Sequence, residues 1–200
     1  IDYPEKLDEF LSIFSKVPGH KILVHGGGVM ASRFGESMGI MPEMVDGRRI
    51  TDKDTLDIVT MVYAGLINKT VVAKLQALKV NALGLTGADG NLIRSIKRPV
   101  KGIDYGFVGD VDTVNGAFLQ TIINFGITPI LAPLTHDGKG QILNTNADTM
   151  AQETAKALSK LYNVSLVYSF EKAGVLLDAN DDSTVIPTIN PASYQQLKAE

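Results

Sequence analysis

The stretch KILVHGGG, residues 21–28, decides the fold that the sequence predicts. A short apolar run ends abruptly in a histidine and three glycines, and residues 29–34 after it favour a helix. This order predicts a buried strand, a glycine turn and a helix N-terminus. Glycine lets the backbone approach a ligand without an obstructing Cβ, and the N–H groups of a helix N-terminus attract anions. The turn is therefore expected to bind an anionic group.

The composition narrows the classes of function. The 200 residues are 44% hydrophobic and carry a net charge of −3, which gives no reason to expect nucleic acid or membrane as a partner. The lack of cysteine excludes disulfides, cysteine metal sites and a thiol nucleophile, and agrees with a cytoplasmic protein. No uninterrupted apolar run has the length of a membrane span. Because the sequence opens at Ile1 and closes within a helical pattern, we expect a piece of a longer protein.

Helical and strand patterns alternate along the chain. Helices are expected over 5–16, 29–38, 56–78, 113–124, 146–161 and 191–198. Strands are expected over 21–25, 44–45, 82–86, 91–101, 105–108, 128–131, 141–143 and 164–168. Several of these strands are continuous apolar runs, which predicts an α/β fold with a mostly parallel sheet covered on both faces. Thr51 is expected to cap the 56–78 helix, and Gly65 and Asn68 to mark a kink or break in it.

Two known motifs fit the glycine turn formally. Gly26-x-Gly28-x-x-Ala31 matches the dinucleotide fingerprint, and Asp46 follows about 20 residues later, where a ribose-binding acid belongs. Arg48 and Arg49 directly after that acid argue against this alternative, as does the helix before the first strand. A dinucleotide-binding protein of the Rossmann type stays an alternative.

The second motif is the oxyanion hole of esterases, which HGGG also matches. Residues 35–39 fit G-x-S-x-G around Ser37, but a nucleophile elbow needs a strand directly before its serine. Residues 30–34 predict a helix there. We therefore interpret Ser37 as a helix-end serine.

A third interpretation places a phosphate on the turn, and other stretches support it. Arg48 and Arg49 form a guanidinium pair suited to carboxylate binding. Residues 144–148, NTNAD, end a strand and open a helix with two amides and a carboxylate. In the simpler alternative, Asn146 only caps that helix and Asp148 only complements its dipole.

Taken together, several stretches resemble the acetylglutamate kinases of the amino acid kinase family. They match in order and spacing across essentially the whole chain: HGGG at 25–28, DGRRIT at 46–51, MVYAGLINKTVVAKLQ at 61–76, ALGLTGADG at 82–90 and ILNTNAD at 142–148. YGFVGDV at 105–111 and SFEKAGVL at 169–176 resemble Bacteroidetes-type members. Some of those members are thought to prefer N-succinyl over N-acetyl glutamate.

The resemblance implies a fold and a division of labour. The fold is a three-layer αβα sandwich around a mainly parallel sheet. Residues 1–163 would form an N-terminal lobe that binds the acylated glutamate and dimerises, with the 56–78 helix as a candidate interface. Residues 164–200 would begin a C-terminal ATP-binding lobe. The implied reaction is phosphoryl transfer from ATP to the side-chain carboxylate of an N-acyl-L-glutamate, in arginine biosynthesis.

The resemblance also assigns roles to residues of the N-terminal lobe. Gly27 and Gly28 line the site of the acylated amino acid and the γ-phosphate. Arg49 and Asn144 bind the α-carboxylate of the substrate and neighbouring groups. Asp148 orients two catalytic lysines, for which this sequence has no counterparts at matching spacing.

For the nucleotide, the resemblance points to residues near the end of the chain. Glu171 stands where the family commonly has Asp, and Gly174 belongs to the same ATP-binding stretch. Mg²⁺ is expected to be carried by the ATP phosphates rather than by a protein cage. The alternative from another class is a non-catalytic small-molecule binding module on the same fold.

Overall fold

Strands and helices alternate along the chain, as the apolar pattern predicts. The computed structural model describes residues 3–45, 47–170, 172–178 and 180–197. The chain divides into two units, residues 1–166 and 167–200. The elements of the first unit are α1 (Pro4–Lys16), β1 (Leu23–Val24), α2 (Gly28–Ser37), β2 (Met44–Val45), β3 (Arg48–Arg49), α3 (Lys53–Val59), α4 (Asn68–Ala77), β4 (Ala82–Leu85), β5 (Ile93–Lys97), β6 (Gly109–Val114), α5 (Gly116–Asn124), β7 (Thr128–Leu131), β8 (Leu134–His136), β9 (Ile142–Asn144) and α6 (Ala147–Leu158).

The parallel sheet has the strand order β1-β7-β4. Leu23 pairs with Ile130 in this sheet, and Ala82 pairs with Thr128. A second sheet has the order β6-β5-β8-β9, in which β5 is antiparallel to β6 and parallel to β8, and β8 is antiparallel to β9. Because β1, β7 and β4 are parallel, the turns that follow them open at one edge of the sheet.

Helices cover both faces of the parallel sheet. Neighbouring residues of a strand point to opposite faces, so Leu23 and Val24 pack into different cores. The core around Leu23 and Ile130 is filled by α1, α2, α3 and α4, and the core around Leu131 by α5 and α6. This arrangement confirms the predicted α/β class and its three-layer αβα sandwich.

The long helix of the first core differs from its prediction. It runs without a break from Lys53 to Ala77, because a π-helical stretch, Thr60–Ile67, joins α3 to α4. The helix therefore does not break at Gly65 or Asn68, although its hydrogen-bond pattern changes from π to α at Asn68, and the expected kink stays a prediction. The helix is long and apolar enough to span a membrane, but a buried core helix can have the same length and composition. The buried side chains of this helix lie in the first core.

Several predicted boundaries are also wrong. The cap of α3 is Asp52, whose Oδ1 accepts a hydrogen bond from Thr55 N at 2.8 Å. The strand expected over 105–108 is β6, four residues later, and Asn115 caps α5 by accepting from Phe118 N at 3.0 Å. The predictions did not include β8. Residues 164–168 form no strand, because their side chains are mostly exposed and no sheet of the described residues pairs with them.

The second unit, residues 167–200, contains little regular structure in its described part. The backbones of Leu176 and Val185 form one antiparallel bridge. Lys172 and Asp182 form an ion pair at 2.6 Å. The helix α7 (Pro191–Leu197) follows Asn190, whose Oδ1 accepts from Ser193 N at 2.9 Å.

Candidate anion-binding site

The glycine turn joins β1 to α2 and consists of Gly26, Gly27 and Gly28. The N–H groups at the start of α2 have no partners within the helix, as at any helix N-terminus. A Cβ at Gly27 would collide with Ile67 Cδ1 and lie 3.0 Å from a ring carbon of Tyr63. At Gly28 a Cβ would meet only Arg49 Nη2, at 3.9 Å, and at Gly26 it would meet nothing within 4 Å. The side-chain position of Gly27 therefore faces the core, and that of Gly28 faces open space beside an arginine.

Arg49 connects the β2–β3 hairpin to the glycine turn. Its Nη2 donates hydrogen bonds to Gly28 O at 2.9 Å and to Ser32 Oγ at 2.8 Å. Both acceptors are neutral, and no ion pair among the described residues involves Arg49. Arg48, the preceding residue of β3, projects to the other side of the strand. The positive charge of Arg49 is thus held beside a helix N-terminus without a carboxylate from the described residues.

Tyr63, on the π-helical stretch, supports both the turn and the arginine. Its ring packs against Gly27, and its hydroxyl lies beside the Arg49 guanidinium. Burial raises the pKa of Tyr63, and the neighbouring Arg49 charge opposes that rise. The phenol therefore remains neutral near pH 7, and it leaves the charge of Arg49 uncompensated.

Asn144 is linked to the backbone of Arg49 through the hydroxyl group of Thr51. It is the last residue of β9, and its Nδ2 donates to Thr51 Oγ1 at 3.0 Å. Thr51 is fully buried and donates in turn to Arg49 O at 3.1 Å. The structure thus joins two predicted substrate-binding residues that are far apart in the sequence.

Asp148 lies in the first turn of α6, and its side chain is exposed. Asn146 caps this helix, because its Oδ1 accepts from Thr149 N at 2.8 Å, which confirms the predicted cap. Thr145 N donates to Pro133 O at 3.0 Å, just beyond β7. Since β7 pairs with β1, the N-termini of α2 and α6 open at the same edge of the sheet. The role of Asp148 stays a prediction.

Four other predicted positions lie outside the described residues, in the second unit, or at the C-terminal end of α2. Glu171 and the ribose-binding candidate Asp46 lie outside the described residues. Gly174 belongs to the second unit, where a Cβ would lie 2.8 Å from Val185 Cγ1, so local packing explains this glycine. Ser37 ends α2 and donates to Phe34 O at 2.7 Å, which confirms that it is a helix-end serine.

A buried polar pair, His25 and Asn68, lies beneath the glycine turn and is absent from the predicted site residues. His25 Nδ1 lies 2.8 Å from Gly26 O, and its Nε2 lies 3.2 Å from Asn68 Nδ2. Burial lowers the pKa of His25. The sequence does contain a signal for this pair, because Asn68 is an amide within an apolar helix and a buried amide needs a hydrogen-bond partner.

A cleft of about 310 Å³ lies beside the same helix but does not include Gly28 or Arg49. Its polar lining comes from Thr60, Asn68, Lys69, Thr86 and Asp89. Within the described residues, no three histidine or acidic side chains cluster closely enough to hold a metal ion.

The fold and its open edge define a class of protein: an αβα sandwich that presents at one sheet edge two helix N-termini and an arginine with no carboxylate partner among the described residues. The chain belongs to the amino acid kinase family, whose sequence profile matches residues 1–200. This match confirms the resemblance seen in the sequence motifs and favours it over the dinucleotide-binding alternative.

Curated relatives named acetylglutamate kinase are similar to the whole chain. The protein from Phocaeicola vulgatus is 59% identical over all of this chain and 78% of its own length. The protein from Bacteroides fragilis is 60% identical over 97% of this chain and 74% of its own length. The protein from Cytophaga hutchinsonii is 58% identical, with coverages of 100% and 76%. The chain spans about three quarters of the length of these relatives.

Solved structures agree on the fold. A crystal structure of a Streptococcus mutans UA159 protein has a TM-score of 0.65 and 26% identity, over 79% of this chain and 62% of that one. An N-acetylglutamate synthase from Neisseria gonorrhoeae, complexed with coenzyme A and N-acetyl-glutamate, has a TM-score of 0.64 and 21% identity, over 80% of this chain and 36% of that one. The chain spans less than two thirds of either protein, and the second likeness concerns the fold alone.

Proposed function

We propose that this chain carries the acyl-glutamate-binding part of an acetylglutamate kinase, which uses ATP to phosphorylate the side-chain carboxylate of N-acetyl-L-glutamate in arginine biosynthesis. The observation that carries the proposal is Arg49, held on the Gly28 carbonyl with no carboxylate partner from the described residues. The identity to relatives of that name supports the choice of substrate.

In this proposal Arg49 binds the α-carboxylate of the substrate. A guanidinium matches a carboxylate in shape and charge, and the bond is charge-assisted. Asn144 contributes its amide from the adjoining strand end, where Thr51 fixes its orientation. The N–H groups of Gly27 and Gly28 then face the side-chain carboxylate and the phosphoryl group that it receives.

The reaction needs positioning and charge neutralisation rather than a base. A side-chain carboxylate oxygen attacks the γ-phosphorus while the bond to the ADP oxygen breaks, which gives an acyl phosphate and ADP. Both reactants are anions, so the guanidinium and the helix N-termini favour their approach. Mg²⁺ carried by ATP would neutralise part of the phosphate charge.

Asp148 and the nucleotide-binding residues complete the proposal. Asp148 holds the two lysine ammonium groups that the family places between the reacting anions. Residues 164–200, including Glu171 and Gly174, begin the ATP-binding lobe, and residues 1–163 form the acyl-glutamate lobe. A cytoplasmic location suits a protein that uses ATP and lacks cysteine.

We propose in addition that the protein is a homodimer that uses the outer face of the 53–77 helix. Met61 is 55% exposed and Leu66 is 44% exposed, although the opposite face of this helix lies in the first core. A second copy of the chain would cover these side chains. Light scattering after size exclusion tests this, with Met61→Glu as the disrupting variant and Met41→Glu, also exposed, as its control.

A coupled ADP-release assay on the complete protein, with two candidate phosphoryl acceptors, tests the proposed function. N-acetyl-L-glutamate and N-succinyl-L-glutamate are compared at equal concentration with ATP and Mg²⁺, and the ratio of kcat/KM identifies the acyl group. We expect ADP release that depends on the acyl-glutamate. Binding of the acyl-glutamate without ADP release would instead indicate the non-catalytic binding module.

A further inference from the structure

We propose that His25 is a positioning residue that fixes the direction of the Gly27 N–H, and that Asn68 fixes His25 in turn. The inference rests on the proposed function, because that N–H is one of the donors offered to the reacting anions. It concerns a buried pair that itself touches no ligand. His25 is 3% exposed and Asn68 is 1% exposed.

The peptide between Gly26 and Gly27 is the group that needs fixing. A trans peptide is planar, so its C=O and its N–H point in opposite directions. All described peptide bonds are trans. Glycine permits many backbone conformations, so this peptide can flip at little cost unless another group fixes it. His25 Nδ1, 2.8 Å from Gly26 O, fixes the carbonyl and thereby sets the direction of the Gly27 N–H.

The Gly27 N–H itself is available for a ligand. Among the described residues no hydrogen bond uses this N–H as a donor, although Gly27 O accepts from Ala31 N at 2.9 Å inside α2. A donor at the start of a helix, held in direction but without a protein acceptor, is what an oxyanion needs.

Asn68 determines which nitrogen of His25 carries the proton. Its Nδ2 has two hydrogens: one bonds Ile130 O at 2.9 Å, and the other points to His25 Nε2 at 3.2 Å. A donor facing Nε2 requires a lone pair there, which places the ring proton on Nδ1, facing Gly26 O. The same logic governs histidines whose far nitrogen is fixed by a hydrogen-bond partner.

The orientation of Asn68 is fixed as well. Its Oδ1 accepts from Lys69 Nζ at 3.2 Å, and Lys69 Nζ also donates to Gly84 O at 3.1 Å. A Cβ at Gly84 would collide with Asn68 Oδ1, so the glycine of β4 makes room for this amide. The result is a chain of hydrogen bonds from β4 through α4 to the glycine turn.

Two substitutions of His25 separate positioning from packing. The amide nitrogen of Asn in His25→Asn can take the place of Nδ1 and donate to Gly26 O. The terminal group of Gln in His25→Gln takes the place of Nε2 and leaves Gly26 O without its donor. Val71→Ala removes packing from the first core without touching the hydrogen bonds of His25, and it controls for a general loss of stability.

The experiment measures kcat, KM and Tm of the three variants by ADP release and thermal unfolding. We expect His25→Gln to lower kcat about 100-fold, the cost of misplacing a catalytic group by about 1 Å, with a KM for acyl-glutamate near that of the unsubstituted protein. His25→Asn should keep most of kcat at a similar Tm. Equal losses in both variants, or losses that follow Tm as in Val71→Ala, would overturn the proposal.

A second measurement does not need turnover. Two-bond ¹H–¹⁵N spectra of the imidazole show which nitrogen of His25 is protonated, and we expect Nδ1 in the unsubstituted protein and a mixture in Asn68→Ala. A proton on Nε2 in the unsubstituted protein would refute the positioning role. Absence of ADP release with the expected tautomer would refute the proposed function instead.

Discussion

Substituting alanine for Gly27 tests why the turn needs a glycine at this position. The new methyl group would overlap Ile67 Cδ1 and lie 3.0 and 3.1 Å from two ring carbons of Tyr63. Both side chains are buried in the first core, so the methyl group would have to displace packed atoms. Overpacking of this kind costs about 1–3 kcal/mol. In a protein of this size, about 2–4 °C of Tm per kcal/mol gives an expected drop of roughly 2–12 °C.

Gly28→Ala is the matched control, one residue further along the same turn. Its methyl group would have Arg49 Nη2 as its nearest neighbour, at 3.9 Å, which is an ordinary contact. Alanine is also the better helix former, by up to about 1 kcal/mol. We therefore expect Tm to stay close to its original value and the KM for acyl-glutamate to rise, because the methyl group enters the space beside the guanidinium.

Thermal unfolding and ADP release on the two variants provide the assay. The expected pattern is a lower Tm in Gly27→Ala and a higher KM in Gly28→Ala. The reasoning is refuted if Gly27→Ala melts like the unsubstituted protein but binds acyl-glutamate poorly, because its glycine would then serve the ligand and not the core.

The remaining predictions concern charges. Arg49→Ala should weaken acyl-glutamate binding about 10- to 150-fold, since a charge-assisted hydrogen bond is worth about 1.5–3 kcal/mol, whereas Arg48→Ala on the other side of β3 should not; calorimetric titration of both variants checks this. Asp148→Asn should lower kcat strongly with little change in KM or Tm, and a helix-dipole role alone, worth about 0.3–1 kcal/mol, would leave kcat near normal. Burial holds the pKa of His25 below its ordinary value of 6.5, so below that pH the unfolded chain binds a proton that the folded chain does not. The free energy of unfolding should then fall as pH drops below about 6.5, by at most about 1.4 kcal/mol per pH unit, and His25→Asn should lack this slope in urea titrations.

The sequence predicts the parts of the fold that depend on local patterns. The apolar run before the glycine turn marks β1, and the stretch 128–131 marks β7, because buried strands of a parallel sheet are apolar throughout. Local patterns do not show which strands pair with one another. The predicted strand at 105–108 therefore lies too early, because only the pairing with β5 shows that β6 continues to Val114.

The site shows the same limit. Sequence motifs predict Gly28, Arg49 and Asn144 as site residues, but not the hydrogen bonds that join them. Arg49 reaches Gly28 across 21 positions, and Asn144 reaches Thr51 across 93. Tertiary contacts at such separations leave no local signal. The close packing of Gly27 on Tyr63 is likewise visible only once the π-helical stretch is in place.

Trapping the product with hydroxylamine tests the central claim most directly, because an acyl phosphate reacts to give a hydroxamate whereas phosphate released by ATP hydrolysis does not. The complete protein is incubated with ATP, Mg²⁺, N-acetyl-L-glutamate and hydroxylamine, and both hydroxamate and ADP are measured. We expect equal amounts of the two products, both dependent on N-acetyl-L-glutamate and both reduced together in Arg49→Ala. ADP without hydroxamate, or neither product in spite of N-acetyl-L-glutamate binding, would contradict the central claim.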